Sequence, residues 1–284
     1  MKLVRFGSKG FERPGIIAAD GTIRDLSHVV ADITGTALRP EGLERIARVD
    51  PDDLPRAPDD ARLGSCIAMP YNFVAIGLNY TDHAEEAKMA IPKVPIIFNK
   101  APTSISGPYD DVVLPPGARK GDWEVELGIV IGSPCDHVSE STALDHVAGY
   151  CICNDVSERE YQIEMDGQWV KGKSAPTFGP LGPWLVTKDE VPNVQNLAMY
   201  LDLNGARMQY GNTANMIFSV PYIVAYVSRF MSLLPGDVIV TGTPAGVGLG
   251  MNPQVFLKAG DEMVLGIDGL GEQRQSVVAH RLEK

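Results

Sequence analysis

Two glutamates interrupt an otherwise apolar run in the stretch GDWEVELGIVIG, residues 121–132. The apolar residues predict a buried β-strand, in which every second side chain leaves the same face, ~7 Å apart along the chain. Glu124 and Glu126 are therefore expected to point the same way. Two carboxylates side by side in or near a core are costly unless a positive charge lies between them. The stretch thus predicts a cation beside the two glutamates.

A third acid, Asp155, directly follows the apolar stretch GYCICN, residues 149–154. Together with Glu124 and Glu126 it would form a ligand set made only of oxygens, which suits Mg²⁺, Mn²⁺ or Ca²⁺ rather than zinc. Mg²⁺ usually keeps several waters, which substrate oxygens can replace. The alternative is that the two glutamates form surface ion pairs on an edge strand, and their spacing alone does not separate the two interpretations.

An imidazole and a carboxylate stand three residues apart in GLNYTDHAEEAK, residues 77–88. If this segment enters a short helix, His83 and Glu86 are neighbours on one face. A carboxylate beside an imidazole orients the ring and raises its basicity, which is a usual arrangement for a general base. The alternative is a solvated helix with incidental charges.

Two other patterns carry less chemistry. The stretch TGTPAGVGLG, residues 241–250, could hold an anion through its glycine-rich backbone and the hydroxyls of Thr241 and Thr243. It lacks the endings of a phosphate loop or a dinucleotide turn, which excludes a nucleotide site of those types. Cys151 and Cys153 have no second Cys/His pair at zinc-ligand spacing, so they are interpreted as small hydrophobic residues of a strand.

The elements that must position these groups are mostly strands. Apolar runs of four to eight residues recur between Gly, Pro, Asn and Asp, which is typical of a β-rich fold with many turns. Helical spacing of apolar residues is limited, and the segments that show it best, or could enter a short helix, are residues 40–49, 82–90 and 220–232.

The first 70 residues are expected to form a small β-containing N-terminal domain, with a hairpin turn at Asp20 and Gly21. Residues 51–64 are rich in proline and charge and are interpreted as a linker. The remaining residues, 71–284, are predicted to form the catalytic domain.

The bulk composition excludes several partners. The chain has 284 residues, 44% of them hydrophobic, and 36 acidic against 25 basic residues, a net charge of -11. Such an acidic chain lacks the cations that a nucleic-acid partner requires. Without a long apolar run or an apolar signal core, we expect a cytoplasmic protein with no membrane partner.

Seven blocks between about Ala75 and Val278 together resemble the fumarylacetoacetate hydrolase family. The blocks are IGLNYTDHAEE, IIFNKAPTSISGP, WEVELGIVIG, NDVSERE, KGKSAPTFGPLGPW, NGARMQYGNT and GDVIVTGTPAGVG. The resemblance implies a β-rich α+β fold, a mixed β-sandwich roll of that family's type, usually assembled as a homodimer. It also implies a Mg²⁺ or Mn²⁺ centre and chemistry on small 2-oxo acids.

The resemblance also implies a role for individual residues. Those matched to the metal ligands are Glu124, Glu126 and Asp155; those matched to catalytic groups are His83, Glu86 and Lys173; those matched to substrate-binding positions are Arg159, Gln162, Thr243 and Lys100. One departure is Pro176, which replaces an acid often found in the family's K-S-x-D-T-F loop and so removes one local partner of Lys173.

The implied reaction is hydrolysis of the C3–C4 bond of a 2,4-diketo acid (an acylpyruvate), which gives pyruvate and a carboxylic acid. His83 would activate water, and Arg159 would hold the substrate carboxylate. The alternative is isomerisation or decarboxylation of a 2-hydroxymuconate-like or oxaloacetate-like acid. Three amides expected near the site, Gln209, Asn212 and Asn215, favour a hydroxylated acyl group such as that of 2,4-diketo-3-deoxy-L-rhamnonate. The resemblance agrees equally with fumarylpyruvate-type products of aromatic breakdown.

Overall fold

A computed structural model describes residues 1–281 of the chain. The strands are β1 Lys2–Phe6, β2 Arg13–Ile17, β3 Ile23–Asp25, β4 Phe73–Gly77, β5 Ile96–Asn99, β6 Ile105–Ser106, β7 Val112–Leu114, β8 Gly121–Asp122, β9 Val125–Ile131, β10 Val147–Asn154, β11 Ser157–Glu158, β12 Gly179–Thr187, β13 Ala198–Leu203, β14 Ala206–Asn212, β15 Val238–Val240, β16 Glu262–Ile267 and β17 Gly271–Ala279. The α-helices are α1 Gly35–Leu38, α2 Pro40–Ala47, α3 Thr81–Glu86, α4 Val170–Lys173 and α5 Val220–Val227. Single 3₁₀ turns lie at Pro51–Asp53, Pro102–Ser104, Ala143–His146, Lys188–Glu190, Thr213–Asn215 and Gly248–Gly250, and a π-helical turn lies at Glu160–Glu164.

Two large sheets organise the chain. The larger has the strand order β3-β2-β1-β12-β10-β9-β15-β4-β5, with β6 added beside β12, and the smaller has the order β14-β13-β16-β17-β7. Most neighbours are antiparallel, but three pairs are parallel: β15 with β4, β17 with β7, and β12 with β6. The predicted β-rich fold with mixed sheets is therefore confirmed.

The larger sheet is buried on both faces. One face packs against the smaller sheet and contributes Val125, Leu127 and Ile129 to that core. The opposite face contributes Val130, Cys151 and Cys153 to a second core, which it shares with N-terminal residues outside the strands, such as Ile33 and Leu38. Burial on both faces explains why β9 and β10 are almost continuously apolar.

The register of β9 and β10 brings the three acids together. In their antiparallel pairing, Glu126 lies opposite Cys153 and Val125 lies opposite Asn154. The residue before β9 therefore meets the residue after β10, and the Asp155 N–H donates to the Glu124 carbonyl over 2.9 Å. Alternation along β9 directs Glu124 and Glu126 away from the face of Val125, as the sequence predicted.

The N-terminal hairpin extends the larger sheet. Strand β1 pairs with β12, with Leu3 opposite Leu185. The segment predicted as a linker, residues 51–64, is tied to the hairpin, because Arg62 forms ion pairs with Glu12 and Asp110 at 2.9 and 2.5 Å. Residues 51–64 are therefore packed against the rest of the protein and do not form a free linker. The domain boundary at residue 70 stays a prediction.

The helical segments are present but shorter than predicted. Helix α2 ends at Ala47, close to the predicted end, whereas α3 ends at Glu86 and α5 at Val227. Lys88 has a φ of 52°, a left-handed conformation that cannot continue a helix. Across residues 1–281, no helix combines the length and the apolar character needed to cross a membrane.

We expect Leu3→Ala to destabilise the whole protein in one transition, because the Leu3 side chain is fully buried in the core that the hairpin shares with the larger sheet. Truncating a buried leucine costs about 2–5 kcal/mol of unfolding free energy. Urea unfolding followed by circular dichroism and tryptophan fluorescence measures the loss. The matched control is Leu144→Ala, a more exposed leucine. Two separate transitions would instead show that residues 1–70 unfold on their own.

Candidate metal centre and active site

Three buried carboxylates form a compact cluster at the ends of β9 and β10. Each of Glu124, Glu126 and Asp155 offers an oxygen, and these oxygens all lie within 4.8 Å of one another. Each of the three residues is less than one-tenth exposed. The structure thus places together the residues predicted as metal ligands, and it places them in the interior rather than on an edge strand.

Buried cations surround the acids. Lys173 Nζ donates to Glu124 Oε2 over 2.6 Å and to Asp155 Oδ2 over 2.8 Å. Lys100 Nζ lies 2.6 Å from Asp155 Oδ1, and Arg159 Nη2 lies 2.8 Å from Glu124 Oε1. The loss of a local partner at Pro176 is therefore compensated, because Lys173 pairs with acids that are distant in sequence.

Lys173 reaches the acids because α4 packs very closely on β11. Gly172 lies against the Glu158 carbonyl, and a Cβ at this position would be 2.4 Å from that oxygen. Only glycine permits this approach, since atoms cannot come so close without displacing the backbone. The glycine before Lys173 therefore sets the depth of the ammonium.

The charges of this cluster do not balance. Its acids are Asp122, Glu124, Glu126 and Asp155, and its cations are Lys100, Arg159 and Lys173. Within the described residues, four carboxylates thus face three cations. A divalent ion would turn the single negative excess into a single positive one, which suits a singly charged 2-oxo acid.

The deficit of positive charge affects the pKa of Glu126 most. Burial raises the pKa of its carboxyl well above the usual value, and the negative charges of Asp155 and Glu124 raise it further. Burial would also raise the pKa of Glu124, but Lys173 and Arg159 lower it below its usual value. An oxygen-only set with one uncompensated acid fits a hard divalent cation such as Mg²⁺ or Mn²⁺.

His83 and Glu86 form the predicted pair on α3. His83 Nδ1 lies 3.0 Å from Glu86 Oε2, and both side chains are less than one-fifth exposed. The other carboxylate oxygen, Glu86 Oε1, accepts from the Gly246 N–H over 2.9 Å. Glu86 therefore fixes the imidazole and also ties α3 to the glycine-rich segment after β15.

Arg159 is more occupied than the predicted substrate clamp requires. Its Nε and Nη2 both contact Asp122 Oδ2 at 2.8 Å, and its Nη1 donates to Gln162 Oε1 over 2.9 Å. Nη2 also lies 2.8 Å from Glu124 Oε1, so the second N–H of Nη1 is the guanidinium donor with no acid beside it. Burial would lower the pKa of Arg159, but Asp122 and Glu124 raise it, so the group stays charged.

Gln162 complements this single donor. Its amide oxygen accepts from Arg159, while its Nε2 makes no hydrogen bond to residues 1–281. Both Gln162 and Arg159 line the same cavity as His83 and Lys173. A substrate carboxylate could therefore bind to Gln162 Nε2 and Arg159 Nη1 together, rather than to an open guanidinium fork.

Lys100 is predicted to bind substrate, but it does not line the cavity. It is almost fully buried, contacts Asp155, and donates to the backbone carbonyls of Lys173 and Val156. It does not line the cavity around His83. Its position supports a role in holding Asp155 and α4, and it gives no support to substrate contact.

Thr243 lines the cavity, as predicted, but the three amides expected nearby do not. Gln209 is fully buried, and its amide group is used by the Val125 N–H, the Thr243 hydroxyl and the Pro244 carbonyl. Asn212 accepts from the Ala214 N–H at the start of a 3₁₀ turn. The interpretation that these amides favour a hydroxylated acyl group is therefore wrong, since none of them faces the cavity.

Asp122 is a buried acid of the site that sequence reasoning missed. Its carboxylate accepts from the Gly248 and Leu249 N–H groups over 2.7 and 3.0 Å and also holds Arg159. It thus connects the guanidinium to the segment that forms one wall of the cavity. The only signal in the sequence is an aspartate two residues before Glu124. Its role is visible only from its burial and from its hydrogen bonds to Arg159, Gly248 and Leu249.

A family model and a curated relative each match most of the chain. The family model described as fumarylacetoacetate (FAA) hydrolase C-terminal matches residues 72–278. An inferred hydrolase of Burkholderia ambifaria is 57% identical over 277 residues, 97% of this chain and 98% of that protein.

Two solved structures share the fold over 99% of this chain and 100% of theirs. One is a probable 2-hydroxyhepta-2,4-diene-1,7-dioate isomerase from Mycobacterium abscessus, with a TM-score of 0.84 and 33% identity. The other is maleylpyruvate hydrolase from Sphingobium sp. SYK-6, solved with manganese(II) and pyruvate, with a TM-score of 0.83 and 30% identity.

We expect Mg²⁺ or Mn²⁺ to stabilise the protein against heat. An ion at one hundred times its dissociation constant adds about 2.7 kcal/mol, which corresponds to a rise in Tm of roughly 5 °C for a chain of this size. Glu126→Gln should abolish this rise and, without metal, should leave Tm unchanged or higher, because it removes a repelled carboxylate. Differential scanning fluorimetry measures both, with the exposed Glu140→Gln as the matched control. A full metal-dependent rise in Glu126→Gln would contradict the ligand assignment.

Asp122→Asn should weaken oxalate binding while the metal-dependent rise in Tm persists. The asparagine amide would present N–H groups to donors that now point at a carboxylate, and a lost charged hydrogen bond costs about 1.5–3 kcal/mol. Oxalate affinity, measured by calorimetry in saturating Mn²⁺, should fall about 10- to 100-fold. Asp136→Asn, an exposed aspartate, is the control. Unchanged oxalate affinity would show that Asp122 does not position Arg159.

Proposed function

Because the chain belongs to the fumarylacetoacetate hydrolase family, we propose that it is a metal-dependent hydrolase of a 2,4-diketo acid. It would cleave the C3–C4 bond of an acylpyruvate and release pyruvate and a carboxylic acid. The observation that carries this proposal is the His83–Glu86 pair, which lines the same cavity as Glu124, Glu126 and Arg159. A carboxylate-held imidazole beside a metal centre is the arrangement that water activation requires.

The substrate would be oriented by its carboxylate. Gln162 Nε2 and the remaining N–H of Arg159 offer two donors to this group, and both side chains are buried. Hydrogen bonds to a charged group are stronger than neutral ones, and burial reduces competition from water. The donors thus fix the pyruvoyl end beside the cluster of acids.

His83 would act as the base. When Glu86 is ionised its oxygen can only accept, so the proton of the imidazole lies on Nδ1 and the lone pair lies on Nε2. Nε2 takes a proton from water, whose oxygen adds to C4 of the diketo acid. Glu86 stabilises the imidazolium that results, and its bond to the Gly246 N–H prevents rotation away from the ring.

Cleavage then moves the electron pair of the C3–C4 bond toward the keto oxygen of the departing pyruvate. The positive charge that a bound divalent ion supplies is needed at this oxygen as the electrons collect. Lys173 adds a permanent charge nearby: burial would lower its pKa, but Asp155 and Glu124 raise it. A raised pKa makes Lys173 a poor acid, so the proton that C3 requires returns from the His83 imidazolium.

The relatives support this reaction class in different ways. Maleylpyruvate hydrolase, by its name, acts on an acylpyruvate, and its structure holds manganese(II) and pyruvate. The Mycobacterium abscessus neighbour is named as an isomerase of a diacid, and this name favours isomerisation as the second candidate. Isomerisation needs no attacking water, so the His83–Glu86 pair favours hydrolysis.

His83→Ala should lower kcat for pyruvate release by about 10²- to 10⁴-fold, the usual contribution of a positioned base. Pyruvate is measured with a coupled lactate dehydrogenase assay on a panel of 2,4-diketo acids with Mg²⁺ or Mn²⁺. The matched control is His137→Ala, because His137 also pairs with a carboxylate, Asp136, but lies exposed outside the cavity.

Three outcomes would contradict the proposal. Conversion of a 2-hydroxymuconate-like diacid without pyruvate would identify an isomerase, and release of CO₂ without a second organic acid would identify a decarboxylase. Equal activity of His83→Ala and His137→Ala would remove His83 from catalysis.

A further inference from the structure

The cavity is much larger than a pyruvoyl group, with a volume of about 560 Å³. The walls beyond the acids include large apolar side chains from three parts of the chain. We call them the acyl wall, and its members are Phe98, Ile163, Trp169, Val247, Leu249 and Met251. Ile163 is 49% exposed, so the wall presents apolar surface to solvent at this residue.

Trp169 has a defined place in this wall. Its ring packs edge-on against Phe98 with 5.2 Å between centroids, and Phe98 lies 5.4 Å from Lys173 Nζ. The Trp169 ring also packs against Gly77, where a Cβ would be 2.4 Å from Trp169 Cζ3. The aromatic pair therefore begins beside the catalytic lysine, where the acyl half of a substrate must leave the reaction centre.

The cations at the charged end of the cavity are already paired, because Arg159 and Lys173 contact acids. Of the other polar side chains, Lys88, Asn252 and Gln254 are exposed, and the Gln254 amide donates to the Leu249 carbonyl over 3.0 Å. Hydroxyls that face the acyl wall itself would lose water and find no partner among its apolar side chains, which costs free energy for every unpaired hydroxyl.

We infer that the acyl half of the substrate is a hydrocarbon chain or ring, not a polyol, and that Trp169 and Leu249 determine this specificity. The inference rests on the proposed function and names the substrate class of the same site. An apolar acyl group would cover Trp169 and Ile163, and each buried methylene strengthens binding roughly fourfold.

The test uses N-substituted oxamates, which carry the carboxylate and adjacent carbonyl of a 2-oxo acid but cannot be cleaved. Calorimetry in saturating Mn²⁺ compares oxamate, N-butyloxamate and N-(2,3,4-trihydroxybutyl)oxamate. We expect the butyl compound to bind at least tenfold more tightly than oxamate, and the trihydroxybutyl compound to bind no more tightly than oxamate.

Two variants locate the effect. Trp169→Ala and Leu249→Ser should each remove most of the butyl advantage, measured in each variant as the ratio of the butyl compound's affinity to that of oxamate. Val170→Ala is the matched control, because Val170 follows Trp169 but does not line the cavity. Thermal unfolding confirms that each variant is folded, and using two variants from different segments keeps the test informative if one fails to fold.

The outcomes separate this inference from the proposed function. Oxamate binding with equal affinity for the butyl and trihydroxybutyl compounds would overturn the hydrocarbon assignment and leave the metal-dependent 2-oxo acid site standing. A uniform loss of affinity for all three compounds in Trp169→Ala would overturn its role in specificity. Absence of any Mn²⁺-dependent oxamate binding would overturn the proposed function and this inference together.

Discussion

The cluster of buried charge between β9, β10 and α4 is the constraint on which the rest of the site depends. Three carboxylates that would repel one another are held by Lys100, Lys173 and the backbone N–H of Gly242, which donates to Glu126 over 2.8 Å. These contacts come from segments far apart in sequence, so the folded chain must assemble before the acids become tolerable. The remaining negative excess favours the binding of a cation beside the three acids.

The same contacts link the parts of the site mechanically. Glu86 joins α3 to the segment after β15 through Gly246, and Asp122 joins that segment to Arg159 through Gly248 and Leu249. Two carboxylates thus hold the glycine-rich segment, whose Gly246 carbonyl also accepts from the Trp123 indole N–H over 3.0 Å. His83 and the Arg159–Gln162 pair are consequently positioned relative to each other by hydrogen bonds between separate elements rather than by one shared element.

The two ends of the cavity differ in polarity. The end beside Glu124 and Glu126 is charged and buried, whereas Trp169 and Leu249 belong to an apolar stretch of the lining. Low polarity beside a charged centre strengthens electrostatic interactions there, because less water remains to screen them. The acyl wall therefore contributes to the charged centre as well as to the shape of the cavity.

The sequence by itself determined the strand that carries Glu124 and Glu126, the imidazole pair on a short helix, and the family. Strand alternation and helical spacing are local rules that can be applied to a sequence. The family follows from seven blocks in the same order, which are specific where a single motif is not. Only the tertiary structure decided that Asp122 holds Arg159, that Lys100 holds Asp155, and that Gln209 points away from the cavity. The physical reason is that a polar side chain takes whichever partner the packing brings within about 3 Å, and sequence spacing does not encode partners that lie more than thirty residues away.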